Sequence, residues 1–310
     1  MSKRSAAAPD PATVEQLIQH GAALFERAGL WFGHGMDNAV DEAAELVFFA
    51  AELRHEDAPA VYPQVLSSVQ RANALELFER RIRERTPAAY LTHRMWFAGH
   101  EFYVDERVLV PRSPLAEVIE ARFEPWIDSK RIARVLDVGC GSGCIAIASA
   151  LALPQAHVDA SDISEDALAV AAMNVRKHRV GDRLRLVCSD VFERLPAPPA
   201  GPRYDVIVSN PPYVGDEEVS GLPPEYEREP RGGLHGGVDG LDIVRRILAG
   251  AAERLTPHGV LIVEVGNSEE ALIDAYPQAP FTWLEFERGG GGVFVLSARE
   301  LEGMEADSSG

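Results

Sequence analysis

A chain of 310 residues is longer than one compact domain usually grows, so a large domain with a smaller companion is expected. Its composition, 46% hydrophobic and 25% charged, is that of an ordinary globular protein, and its longest apolar run, Cys144 to Leu153, is too short to cross a bilayer. The formal charge of −18 argues against direct grip on a nucleic-acid backbone, despite the local cluster Arg80, Arg81, Arg83 and Arg85, and favours a basic polypeptide partner.

Residues 1–12 are rich in Ala, Pro and Ser and are expected to be disordered. Lys3 and Arg4 are not followed by an apolar core before Glu15, so no secretory signal is expected. Cys140, Cys144 and Cys188 are an odd number suited to a reducing cytoplasm. They lack zinc-site spacing, and no metal is expected.

From residue 13 to residue 88 the pattern is helical, predicting a small bundle. Its stripes are Leu17, Ile18, Ala22, Leu24 and Phe25; then Ala43, Leu46, Val47 and Ala50; then Leu66, Val69, Ala72, Leu75 and Phe78. Thr86-Pro87 ends it. Residues 89–113 alternate, with Trp96, Phe97, Phe102, Val104, Val108 and Val110 apolar and turns at Gly99-His100 and Asp105-Glu106, predicting a β-hairpin linker. A helix follows from about Pro114 to Trp126.

Over 114–299 the rhythm is strand then helix. Strands are predicted at Ala133–Asp137, His157–Ser161, Leu184–Ser189, Tyr204–Asn210 and Val260–Val265, and helices at Cys144–Leu153, Glu165–His178 and Leu241–Leu255. That alternation implies an α/β fold with a mainly parallel sheet covered on both faces. Two last strands, Thr282–Glu287 and Val293–Ser297, are joined by a link too short for a parallel crossover, so the last strand should be antiparallel. Residues 300–310 are expected to be a disordered tail.

The segment Val135-Leu-Asp-Val-Gly-Cys-Gly-Ser-Gly143 places Gly139, Gly141 and Gly143 between a strand and a helix, where the backbone can turn tightly and approach a ligand. Its spacing differs from the dinucleotide fingerprint, and Asp137 would repel a pyrophosphate. The same carboxylate suits the ammonium group of S-adenosylmethionine. Asp162, ending the second strand, can accept from ribose hydroxyls, and Asp190, ending the third, from an adenine amino group, with Val191 and Phe192 against the ring. A glycine-rich turn alone is often only a turn. Here the glycines and both acids fall at the ends of successive strands, where open parallel sheets bind ligands.

The fourth strand ends in Asn210-Pro211-Pro212-Tyr213. Prolines fix their own φ and cannot donate, so their carbonyls are held as acceptors. The side-chain oxygen of Asn210 and the carbonyl of Pro211 can together accept both hydrogens of a planar NH2, with Tyr213 covering its flat face. An amide nitrogen is a weak nucleophile, and fixing it in line with a sulfonium methyl is worth up to roughly 7–11 kcal/mol.

At these residues the sequence resembles S-adenosylmethionine methyltransferases built on a seven-stranded, Rossmann-like sheet, and within them enzymes acting on adenine, guanine or glutamine amino groups. Further segments are similar to the N(5)-glutamine protein methyltransferases: Arg85-Thr-Pro-Ala-Ala-Tyr-Leu91, Trp96-Phe-Ala-Gly-His-Glu-Phe102, Val108-Leu-Val-Pro-Arg112, Tyr226-Glu-Arg-Glu-Pro230 and Gly236-Gly-Val-Asp-Gly240. Release-factor enzymes usually read Pro-Arg-Pro-Glu-Thr-Glu after the hairpin. Pro111-Arg-Ser-Pro-Leu-Ala-Glu117, Phe32-Gly-His-Gly-Met-Asp-Asn-Ala-Val-Asp-Glu-Ala43 and Gly289–Gly292 resemble instead the branch acting on large-subunit ribosomal protein three.

The resemblance implies that Asp137, Gly139, Cys140, Gly141, Ser142, Gly143, Asp162, Asp190, Val191 and Asn210 contact S-adenosylmethionine, and that Asn210, Pro211, Pro212 and Tyr213 hold the glutamine. It implies that the helical domain recognises a ribosomal protein, with nucleic acid met only through the ribosome. A release-factor methyltransferase, a nucleic-acid amino methyltransferase and a non-catalytic ribosome assembly factor are the competing expectations.

Overall fold

The computed structural model describes residues 12–307, so the disorder expected at the N-terminus falls, up to residue 11, outside the described residues. The chain divides into two compact units. One runs to His93 and also takes in Pro223–Arg228; the other holds Arg94–Leu222 and Glu229 onward.

The first unit consists of helices α1 (Val14–Arg27), α2 (Ala39–Ala51), α3 (Ser68–Glu84) and α4 (Ala88–Thr92). Capping boxes start two of them: Thr13 with Gln16 opens α1, and Ser67 with Gln70 opens α3. The first two apolar stripes lie inward as predicted, around Phe25, Leu46 and Phe48. The third does not. Val69 is 66% exposed and Ala72 is exposed, while Ala74, Leu77, Phe78 and Arg81 face inward.

Arg81 accounts for that rotation. Its guanidinium, 1% exposed, is forked onto Glu42 at 2.8 and 3.2 Å and donates to the Trp31 carbonyl at 2.9 Å. Once that charge is satisfied inside, the residues three, four and seven positions before it share its face. Glu225, in the short returning segment, accepts from Arg85 and from the Trp31 N–H, each at 3.0 Å.

The second unit opens with the hairpin β1 (Met95–Phe97) and β2 (His100–Phe102). Then come α5 (Leu115–Glu120), β3 (Arg134–Val138), α6 (Cys144–Ala152), β4 (His157–Asp162), α7 (Glu165–His178), β5 (Leu184–Cys188) and β6 (Tyr204–Ser209). The chain continues through α8 (Asp216–Gly221), α9 (Arg231–Leu234), α10 (Asp242–Ala251), β7 (Leu255–Glu264), α11 (Glu269–Ala275), β8 (Thr282–Trp283), β9 (Val293–Ser297) and α12 (Ala298–Asp307).

The seven-stranded sheet has the order β5-β4-β3-β6-β7-β9-β8, parallel from β5 to β7, with β9 antiparallel to both neighbours. Both faces are apolar because neighbouring residues point to opposite sides. Val135, Val206, Val208 and Ile262 join one core, while Leu136, Ile207, Leu261 and Val263 join the other.

Two expectations need correction. α5 stops at Glu120 rather than near Trp126, because Arg122 and Phe123 adopt left-handed φ of 56° and 65°. The C-terminal segment from residue 300 is not disordered as far as Asp307: it continues α12, and Leu301 is buried. Ala298, Leu301 and Met304, three apart in an otherwise polar run, form the inward edge. Among the described residues no helix is long and apolar enough to cross a membrane.

Candidate active site

Strand order reverses between β3 and β6, and their registers align Val138 with Ser209, so Gly139 and Asn210 follow at adjacent strand ends. The Ser209 hydroxyl donates to the Val138 carbonyl at 2.6 Å and ties the two ends together. On the far side of β6, Ser209 pairs with Val263, so Glu264 flanks Asn210 from β7. The sites predicted at the ends of β3, β4, β5 and β6 therefore lie in consecutive rows of one sheet edge.

The glycine turn is built on β4. The amides of Gly139 and Cys140 donate to the Ser161 carbonyl at 2.8 and 2.9 Å, and Gly141 N–H donates to an Asp162 carboxylate oxygen at 2.8 Å. Gly139 and Gly141 take φ of +74° and +52°, and a Cβ on either would meet open space, so the turn offers backbone to whatever binds beside it. Gly143 differs: a Cβ there would come within 3.2 Å of Ala171, so it serves close helix packing. Cys140 and Ser142 are buried, which limits them to backbone roles; burial drives the Cys140 thiol pKa upward and that of Cys144 to about 12. Asn174 of α7 braces the loop by donating to the Ser142 carbonyl at 2.9 Å.

Asp137 is fully buried. One carboxylate oxygen accepts from Ala146 N–H at 3.0 Å, while the other has no partner among the described residues. Burial, opposed by that hydrogen bond and reinforced by nearby Asp162, pushes its pKa up to about 8. An unsatisfied buried oxygen of this kind is the fit expected for a cationic ligand group. Asp162 is pushed upward by burial too, and its second oxygen accepts from Ser164 N–H at 2.9 Å. It retains lone pairs for two further donors.

Beyond β5, Asp190 is partly exposed and paired with Arg246 of α10 at 2.8 Å. Val191 adopts φ of 46°, rare for a β-branched residue and held here by the Ser189 hydroxyl donating to its carbonyl at 3.1 Å. Both residues line a recess of about 530 Å³. Phe192, expected beside Val191 against the ring, is buried against α10, with the Arg254 guanidinium 4.6 Å from its ring centre.

In the Asn210-Pro-Pro-Tyr segment Pro211 is buried, while Asn210, Pro212 and Tyr213 remain partly accessible. Loop Gly236–Gly240 wraps its backbone so closely that a Cβ at Gly236 would lie 2.6 Å from the Pro212 oxygen, and one at Gly240 2.1 Å from that of Tyr213. Ser268 donates to the Tyr213 carbonyl at 2.7 Å, and the Tyr213 hydroxyl donates to Glu264 at 3.1 Å.

Sequence reasoning missed Glu264, Ser113, Ser268, Asn174 and Arg246. The one visible signal was a carboxylate inside the apolar run Val260–Val265.

A protein-family model described as Methyltransferase small domain matches residues 123–221. The chain is 49% identical over 298 residues to a ribosomal protein uL3 glutamine methyltransferase from Xanthomonas campestris pv. campestris, covering 96% of this chain and 95% of that protein. It is 44% identical over 300 residues to the protein of that name from Neisseria meningitidis serogroup B, covering 96% and 97%. Among solved structures, the hMettl16 catalytic domain in complex with MAT2A 3'UTR hairpin 6 covers 76% of this chain and 85% of its own, with a TM-score of 0.50 and 18% identity. That likeness is one of fold alone.

Proposed function

The chain belongs to the family of ribosomal protein uL3 glutamine methyltransferases, and we propose from that premise that it methylates the side-chain amide nitrogen, N(5), of a glutamine in uL3. The methyl donor is S-adenosylmethionine, which supplies an electrophilic methyl on a sulfonium. The residues present fit it: a buried carboxyl at Asp137 with one oxygen unpartnered among the described residues, an open glycine turn, and carboxylates at the next two strand ends. In this reading Asp137 holds the ammonium, Asp162 the ribose hydroxyls and Asp190 the adenine amino group, with the backbone of Gly139 to Gly143 and Val191 lining the cleft.

The observation that carries the acceptor assignment is the register that sets Asn210 beside Gly139. Asn210 Oδ1 and the Pro211 carbonyl accept the two amide hydrogens, orienting the nitrogen lone pair toward the cleft and adding electron density as attack proceeds. Tyr213 lies on the flat face of the amide and excludes water from it. One N–C bond forms as one C–S bond breaks. The nitrogen then sheds a proton to solvent, so no strong base is needed beforehand.

The net charge of −18 suits a basic substrate drawn in by the opposite field. The reaction is assigned to the cytoplasm, consistent with three free cysteines. The test is incubation with methyl-labelled S-adenosylmethionine and separated ribosomal proteins from a strain lacking this gene. A single labelled band identified as uL3 is expected; label in a release factor, in RNA, or nowhere would overturn the reading.

A further inference from the structure

Glu264 ends β7 inside the protein, 4% exposed, where an apolar residue would pack without a desolvation cost. Its two oxygens face different elements. One accepts from the Tyr213 hydroxyl at 3.1 Å. The other accepts a short hydrogen bond from the Ser113 hydroxyl, whose oxygen in turn accepts from Leu115 N–H at 3.1 Å at the start of α5. Arg112, next to Ser113, forks onto Glu229, both contacts at 2.7 Å, and its charge favours the ionised form of Glu264.

Tyr213 is thus fixed from the β7–α11 corner in three places. Glu264 holds the hydroxyl and Ser268 the carbonyl. Gly266, at φ +47°, lies so close that a Cβ there would come within 2.5 Å of the ring. A tyrosine has two side-chain torsions, and these contacts remove the freedom of both. A ring that needed only to fill space would not require a buried carboxylate to hold it.

We propose that Glu264, itself anchored by Ser113, is a positioning residue that locks the Tyr213 ring at the angle required to stack on the acceptor amide. This rests on the reading that Asn210 to Tyr213 hold the glutamine. The carboxylate touches neither the donor nor the amide and acts through the tyrosine.

The experiment compares wild type with Tyr213→Phe, Glu264→Gln, Glu264→Leu and the double variant Tyr213→Phe/Glu264→Leu, measuring S-adenosylmethionine affinity and single-turnover methylation of uL3. Tyr213→Phe keeps the ring and loses the tether, so its turnover should fall about tenfold with cofactor affinity unchanged, as misplacement near a reacting centre costs rate rather than donor binding. Glu264→Gln keeps one acceptor oxygen and should retain more activity than Glu264→Leu. The double variant should be no slower than the slower single one, because both remove the same tether.

Full turnover by Tyr213→Phe would overturn the proposal, and that result does not depend on whether Glu264→Leu folds. Multiplicative losses in the double variant would overturn it too. Failure of the wild-type chain to methylate uL3 would instead overturn the functional reading beneath it.

Discussion

In the proposed reaction two side chains serve separable halves of the chemistry. Asn210, partly accessible beside the glycine turn, serves the acceptor. Asn210→Ala should weaken S-adenosylmethionine binding no more than severalfold, while transfer falls roughly a hundredfold or more, the scale seen when a preorganised polar group is lost. Calorimetry alongside a labelled-methyl assay checks the split, and unaltered turnover would remove Asn210 from the mechanism. Asp137 is proposed to serve the donor. Its folded pKa of about 8, above the ordinary 3.8, means that the unliganded protein holds the proton more tightly than the unfolded chain does. Stability from this group is present at low pH and is lost as pH rises through 3.8 to about 8. Binding an ammonium reverses the preference, so the cofactor should displace a proton and bind more tightly as pH approaches 8, until its own ammonium titrates. Asp137→Asn should abolish that pH dependence and weaken binding by about tenfold to a hundredfold, the worth of a charged hydrogen bond. Its unliganded melting temperature at pH 8 should rise. A pH-independent affinity in the wild type would contradict this role.

At the scale of elements, residues adjacent in sequence were legible and residues joined by folding were not. The strand, the glycine turn and Asp162 lie within one continuous stretch, so spacing alone placed them at neighbouring strand ends. Glu264 and Ser113 are 151 positions apart and meet only in the folded chain, where the end of β7 lies against the turn before α5. Asn174 reaches the glycine loop from the middle of a helix whose periodicity marks it only as an inward position. Val69 and Ala72 of the third helical stripe were misplaced because Arg81, polar in the sequence, is an inward residue once Glu42 receives it. α12 was missed for the opposite reason, since three apolar residues in an acidic run carry little signal. Leu301→Ala should therefore destabilise the second unit by about 2–5 kcal/mol, as buried leucine truncations do. Denaturant unfolding that leaves the variant unchanged would return this segment to the status of a tail.

For the whole molecule, the proposed basic substrate would make the net charge of −18 a determinant of how it arrives rather than how it reacts. Association with uL3 should slow severalfold as salt rises from about 50 to about 500 mM, because the Debye length shrinks and the attraction between opposite fields is screened. Single-turnover transfer from the preformed complex should change little. Stopped-flow association at several salt concentrations tests this, and a rate insensitive to salt would place recognition in short-range contacts instead. A fold does not by itself fix a substrate, so the proposed account assigns the choice of acceptor to the strand ends and their loops. The most direct measurement is a crystal structure with S-adenosylhomocysteine and a uL3 peptide containing the target glutamine. Asn210 Oδ1 and the Pro211 carbonyl should each lie about 2.7–3.2 Å from the glutamine nitrogen, with the Tyr213 ring across its flat face. An amide bound elsewhere, or either oxygen turned from the cleft beside Gly139, would contradict the account.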